Sequence, residues 1–224
     1  MNAQACSNMS PTIDICLYIG TKLLPMDTTA DKLLNLVHSE GLLRPSDLVP
    51  LGIPRVALTR AVRSGQLERI GRGLYGLAER PISAHGTLAE VARRVPKGVI
   101  CLLSALRFHG LTTQAPFEVW LAIDNKAATP RFDYPLLRII RFSGAGLTEG
   151  VEEHIVDNVT IRVTGIAKTV ADCFKYRNKI GLDVALEALR EAWNSKRMTS
   201  DEIWRYAKID RVSNVMRPYL ESLV

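Results

Sequence analysis

Between residues 55 and 63 one spacing could do chemistry: Arg55, Thr59 and Arg63 stand four residues apart, with Arg60 beside them. A guanidinium offers forked donors to guanine edges or phosphate oxygens, and threonine adds a hydroxyl and a methyl. A helix that aligned these groups would carry what reading duplex DNA requires. At about 100° per residue from Arg55, the residues Arg55, Val56, Thr59, Arg60 and Arg63 fill an arc from about 0° to 140°. Ala57, Leu58, Ala61 and Val62 fill the opposite arc, from about 200° to 340°. Val56 lies inside the basic arc, where a thymine methyl is a better partner than a protein core. An arginine face can also simply meet solvent. Against that reading stand Arg69 and Arg72 just downstream, the latter between two glycines, Gly71 and Gly73, where a loop tip could touch phosphate or a minor groove.

A second candidate is catalytic. The apolar run Phe117 to Ile123 leads into Asp124-Asn125-Lys126, an acid-x-lysine ending of the kind that metal-dependent nucleases use to hold a cation and place a water. Such a site also needs an upstream carboxylate, and Arg94 to Gly110 holds neither Asp nor Glu. A polar strand-end turn is the plainer reading. His38, His85, His109 and His154 lack metal-ligand spacing, and no Gly-rich phosphate loop or serine elbow occurs. His109, ahead of Gly110, reads as a helix C-terminal residue favoured by the dipole. No catalytic residue, metal or cofactor is therefore expected.

The elements that must position the basic arc are legible around it. Asp27, Thr28 or Thr29 caps a helix with Ala30, Leu33, Leu34 and Val37 inward, closed by Gly41. A short second helix starts near Pro45, turns Leu48 and Leu51 inward and stops at Gly52, with Pro50 making it irregular. The third, basic helix starts at Pro54 and ends before Gly65. Leu67–Ile70 and Leu74–Leu77 then form a hairpin through Gly71-Arg72-Gly73, whose glycines allow positive φ. Three helices and a hairpin make a winged helix-turn-helix.

Beyond Pro81, Thr87 to Val95 reads as a linker helix, and Val99 to Gly110 as an apolar segment. Strands follow at Phe117–Ile123, Leu136–Phe142, Val151–Val156 and Val159–Val163, the last two joined by Asp157-Asn158. From Ile166 the period returns to 3.6, with Val170, Cys173 and Phe174 on one helix and Leu182, Leu186, Leu189 and Trp193 on the next. Short helices from Ser200 and Val212 finish the chain. Lys168, Lys175, Arg177 and Lys179 are expected on a solvated helix and loop rather than on an extended nucleic-acid surface. The fold class is α+β: a winged helix-turn-helix at 27–80, then a mixed α/β C-terminal domain at 81–224 with a small sheet and a terminal helical group.

The chain's 224 residues suit one or two domains, and its 47% hydrophobic and 23% charged residues suit a packed protein rather than a disordered one. A formal net charge of +6 favours polyanionic partners. The apolar run Val99 to Leu103 is far too short for a membrane span, so no membrane partner is expected. Cys6, Cys16, Cys101 and Cys173 form no Cys-x-x-Cys pair and read as reduced thiols, Cys101 and Cys173 as small core residues. Residues 1–26 read as a flexible leader or an over-long start: no Lys or Arg precedes Ile13–Ile19, and Asp14 interrupts it, so a secretion signal is not expected.

Three phrases recur together in a known family. They are Leu67 to Tyr75 (LERIGRGLY), Cys101 to Thr112 (CLLSALRFHGLT), and Thr169 to Lys175 (TVADCFK) before Leu182 to Leu189 (LDVALEAL). In this order and spacing the chain from about residue 27 resembles the AbiEi antitoxins of type IV toxin-antitoxin, or abortive-infection, systems. The resemblance implies a cytoplasmic repressor that binds double-stranded operator DNA of its own operon. It also implies a C-terminal domain needed to counter a cognate nucleotidyltransferase toxin, without a stable complex. A metal-dependent nuclease targeted by a winged helix is the alternative.

Overall fold

The computed structural model describes residues 28–80 and 83–223. The leader, Cys6, Cys16, Asp27 and the Pro81 boundary lie outside the described residues. The chain is mixed α and β, with helices and two small sheets.

Helix α1 (Thr29–Glu40) is capped by Thr28, whose hydroxyl accepts from the Asp31 amide while Asp31 accepts from the Thr28 amide. Leu33 and Val37 are buried, Leu34 is half-buried, and Ala30 is exposed on the first turn. After β1 (Leu42–Leu43), Pro45–Leu51 is a 3-10 helix rather than an α-helix, as Pro50 dictates. Leu48 is buried in the core, whereas Leu51, the last residue of the 3-10 helix before Gly52 turns the chain, is 53% exposed, contrary to the inward placement expected. Helix α2 (Val56–Arg63) is followed by β2 (Leu67–Gly71) and β3 (Leu74–Leu77), and the first sheet has the order β1-β3-β2, all antiparallel.

The second sheet is built from β4 (Val99–Ile100), β5 (Val119–Asp124), β6 (Leu137–Phe142), β7 (Val151–Val156) and β8 (Val159–Thr164), in the order β6-β5-β4-β8-β7. Pairs β4/β8 and β5/β6 are parallel and the others antiparallel. β5 is apolar on both faces: Val119, Leu121 and Ile123 point one way, Trp120 and Ala122 the other. Asp157 and Asn158, both at positive φ, close the β7–β8 hairpin as expected.

One face of this sheet carries α3 (Gly86–Arg94), whose Leu88, Ala89 and Val91 share an apolar cluster with Leu42 and Leu74 of the first sheet. α3 is thus core packed against β8 and β1, not a linker. The other face carries α4 (Leu102–Phe108), α6 (Ile166–Lys175), α8 (Leu182–Asn194), α9 (Ser200–Ile209) and α10 (Ser213–Glu221); short α5 (Ala145–Thr148) and α7 (Arg177–Ile180) complete the elements. Residues Ala167 to Phe174 of α6 are all buried, Cys173 among them, because helices surround it. On α8 the buried stripe is Val184, Ala185, Ala188, Leu189 and Ala192. Leu182 is exposed and Leu186 and Trp193 lie at the rim, so the buried face is rotated from the expected leucine stripe and is made largely of small residues.

Candidate nucleic-acid interface

Pro54 and Gly65 delimit α2. The Pro54 carbonyl accepts from the Ala57 amide in a first tight turn, so regular helix starts at Val56, two residues after the proline. At the other end Gly65 sits at φ 75°, while the Ser64 amide and hydroxyl donate to the Arg60 and Ala61 carbonyls. Leu58 and Ala61 are buried in one cluster with Leu33 and Val37 of α1 and Leu48 of the 3-10 helix, with Ala57 and Val62 packed at its edge. Arg55, Val56, Thr59, Arg60 and Arg63 are all exposed, the segregation read from the sequence. Val56 is 49% exposed, with no core role.

The hairpin places Arg69 and Arg72 in solvent beside this helix in sequence. Gly73, at φ 68°, supplies the turn's positive φ. Gly71 does not, which corrects the expectation for that glycine. It ends β2, where the register shifts, and is bare of side chain because the Arg94 guanidinium occupies the space a Cβ would need. The Arg69 side chain reaches back to the Gly71 carbonyl at 3.4 Å.

Charge pairing separates two sets of arginines. Arg80 bridges Glu68 and Glu90 at 3.4 and 3.1 Å, and Arg93 bridges Glu40 and Asp47 at 3.3 and 2.8 Å while donating to the Leu42 carbonyl. These brace the fold. Arg55, Arg60, Arg63, Arg69 and Arg72 form no ion pair among the described residues, so their charge is available to an anion.

Sequence reasoning missed three arginines. Arg44, Arg94 and Arg131 join Arg72 around a cleft of about 790 Å³ between the hairpin turn and the β5–β6 loop. They lie on separate elements more than 35 residues apart, so no local spacing could reveal them.

Of the basic group expected in solvent, Lys175 and Lys179 are exposed and Arg177 is half-buried, and the expectation is corrected at Lys168. Lys168 is fully buried: its Nζ donates to Asp172 and, at 3.1 Å, to Asp210, which also accepts from Lys175 at 3.0 Å. The i,i+4 spacing of Lys168 and Asp172 brings the charges together inside the core. Burial pushes the Asp172 carboxyl well up, with the Lys168 ammonium opposing. For Lys168 burial acts downward, but the two carboxylates together outweigh it and hold the ammonium above its ordinary range. Arg177 donates to the Phe174 carbonyl, and Lys179 is exposed.

His109 does follow α4, but it is buried with Nε2 2.8 Å from the Thr164 carbonyl, and burial lowers its pKa. A neutral imidazole, not a dipole-favoured cation, fits there. His85, His109 and His154 all approach Phe108, with ring centroids within 5.3 Å of it, a convergence invisible in their sequence spacing. Asp124 accepts the Lys126 amide at 2.8 Å, a local turn. Among the described residues no group of three or more His, Cys, Asp or Glu could hold a metal, and no helix is long and apolar enough to cross a membrane.

Residues 31–78, from within α1 to just past β3, match a family described as transcriptional regulator, AbiEi antitoxin. The resemblance to the AbiEi antitoxins holds for this segment. No curated protein matches the chain. The AbiEi-like segment contains the whole exposed basic face of α2 and the hairpin with Arg69 and Arg72. The phrases at Cys101–Thr112 and Thr169–Leu189 lie beyond the matched residues.

Proposed function

We propose that the chain is a cytoplasmic DNA-binding autorepressor and antitoxin of a type IV toxin-antitoxin system. Its residues 27–80 act as a winged helix-turn-helix, and 81–224 as the part that counters a nucleotidyltransferase toxin. The observation that carries the DNA reading is the exposed face of α2, on which Arg55, Thr59, Arg60 and Arg63 stand without a carboxylate partner. In this reading α2 enters the major groove, Arg55, Thr59 and Arg63 face base edges, and Arg60 meets phosphate. Val56 touches a thymine methyl. Arg69 and Arg72 of the hairpin wing contact backbone or minor groove. The topology supports it: the element order α1, β1, 3-10 helix, α2, β2, β3 with β3 central is that of winged helices, and the AbiEi-like match spans it.

The antitoxin half rests on the family resemblance and is tested in cells. Co-expression with the nucleotidyltransferase expected beside it in the genome should restore growth. Titration of the whole chain against DNA from upstream of its own reading frame should show saturable binding that exceeds binding to an unrelated duplex. Equal, weak binding to both duplexes together with no restored growth would overturn the assignment. Nothing specific favours the nuclease alternative, since Asp124 is engaged in its own turn.

A further inference from the structure

The cleft beside the wing has the dimensions and the chemistry of a small-ligand site. One wall is the hairpin turn Gly71-Arg72-Gly73 with Arg44 at the entry to the 3-10 helix; the other is the β5–β6 loop, Pro130 to Tyr134. Arg44 sits at this end because β1 runs antiparallel to β3, with Leu43 opposite Tyr75, so the next residue approaches the wing turn. Arg94, the last residue of α3, ties the walls together: its guanidinium lies against Gly71, stacks over the Phe132 ring at 4.7 Å and donates to the Tyr134 carbonyl. At about 790 Å³ the cleft falls within the roughly 300–1,000 Å³ that small-molecule sites occupy.

The fold does not use the cleft's charge. Arg44, Arg72, Arg94 and Arg131 form no ion pair among the described residues, whereas Arg93, one residue before Arg94, bridges two carboxylates. Asp133 is the sole acidic residue in the lining, so the walls carry an excess of about three positive charges. Arg94 Nε is buried with no hydrogen-bond partner, a donor of the cleft that the fold leaves unused. Two aromatic residues line the same cleft: Phe132, whose ring Arg94 already covers, and Tyr134, which is 65% exposed. Guanidinium forks fit phosphate oxygens, and an exposed ring fits the face of a base. The convergence of the four arginines selects among phosphate ligands. A duplex strand spaces single charges a whole nucleoside apart, whereas a di- or triphosphate chain gathers about three or four on adjacent groups, the concentration that converging guanidinium groups neutralise.

We propose that this cleft is an effector site for a free nucleoside di- or triphosphate, with Arg44, Arg72, Arg94 and Arg131 on the phosphates and Tyr134 stacked on the base. Arg72 is also the wing residue that the winged-helix reading sets against DNA. A bound nucleotide occupies a group that the duplex needs, so the two ligands oppose each other, each lowering the other's affinity by the same factor. This coupling rests on the DNA-binding reading; nucleotide binding itself does not.

The test titrates the full chain by calorimetry with ATP, GTP, CTP and UTP in turn, and with inorganic pyrophosphate, at constant ionic strength. At least one triphosphate should bind saturably, one per chain. Arg44→Ala and Arg131→Ala, with circular dichroism unaltered, should each weaken that binding about tenfold or more, as loss of a charge-assisted hydrogen bond does. Tyr134→Ala should weaken the triphosphate and leave pyrophosphate unaffected. Saturating triphosphate should lower affinity for upstream DNA at least as much as Arg72→Ala does. No saturable binding of any of the four triphosphates, or binding that both arginine variants leave unchanged, would overturn the effector site. Pyrophosphate binding as tightly as the best triphosphate would overturn the nucleotide assignment in favour of a bare phosphate site. Duplex affinity unmoved by saturating triphosphate would overturn the coupling. A parent chain that binds triphosphate but no duplex would overturn the DNA-binding function and the coupling while supporting the effector site.

Discussion

Replacing Lys168 by methionine tests how the C-terminal part holds together. Lys168 Nζ is the shared donor to Asp172 and Asp210, all three at or near zero exposure. Without it Asp172 has no cation, and its Oδ2 already lacks a partner. Asp210 retains only Lys175, whose side chain is 34% exposed. A balanced site of two ammonium and two carboxylate groups becomes a buried site with one excess negative charge. Removing one partner of a buried ion pair typically costs about 3–5 kcal/mol, and the orphaned Asp172 places this case in that range. The loss should depend on pH. Burial already pushes Asp172 up, and without Lys168 that push is unopposed, so the folded variant takes up a proton that its unfolded chain, with an ordinary Asp, does not. More protons bound in the folded state means that stability falls as pH rises, by up to about 1.4 kcal/mol per pH unit. Urea unfolding followed by circular dichroism between about pH 6 and 8 measures both effects. Adding Asp172→Asn should recover part of the loss and abolish the extra pH dependence. A Lys168→Met protein within about 0.5 kcal/mol of the parent at pH 8 would refute the reasoning.

Other consequences are smaller in scope. Val56→Ser should relax preference at one base pair while leaving affinity for unrelated DNA unchanged; a binding-site selection that returns the parent's preferences everywhere would remove the thymine contact. Gly71→Ala puts a Cβ where the Arg94 guanidinium lies, so it should lower Tm and cost about 1 kcal/mol, and an unchanged Tm would show that Arg94 moves freely. A fragment of residues 28–80 exposes Leu42 and Leu74 and loses the Arg93 bridges, so it should be less stable than 28–95 by about 3 kcal/mol; equal urea midpoints would contradict this. His109, held below its ordinary pKa by burial, contributes stability that is present above about pH 6.5 and lost as pH falls. His109→Gln should flatten the acid limb of the stability profile.

The sequence spoke most clearly where a pattern is local. The period of α2 alone separates Leu58 and Ala61 from Arg55, Thr59 and Arg63, because a helix that buries one face must expose the other. The Asp157-Asn158 hairpin and the Thr28 cap are equally local. Readings that needed a neighbour went astray. Lys168 looks like a surface lysine until Asp210, forty-two residues on, is placed beside it. The leucine stripe of α8 held at Leu189 but missed Val184, Ala185, Ala188 and Ala192, because the buried face is rotated and made largely of small residues. Leu51 failed for a different reason: it ends the 3-10 helix, where Gly52 turns the chain away, and it stays exposed. Arg44, Arg94 and Arg131 meet only when the first sheet packs on α3 and the β5–β6 loop folds over, so the cleft has no sequence signature.

The central claim is that α2 reads operator DNA through its unpaired basic face. The most direct measurement is a set of operator and unrelated-duplex titrations for Arg55→Ala, Arg63→Ala and Arg60→Ala in the full chain. Removing a guanidinium that bonds a base edge, at Arg55 or Arg63, should weaken operator binding by about 1–3 kcal/mol and leave unrelated DNA nearly untouched, whereas Arg60→Ala should weaken both alike. Operator affinities unchanged in both the Arg55 and Arg63 variants, with the fold intact, would contradict the account.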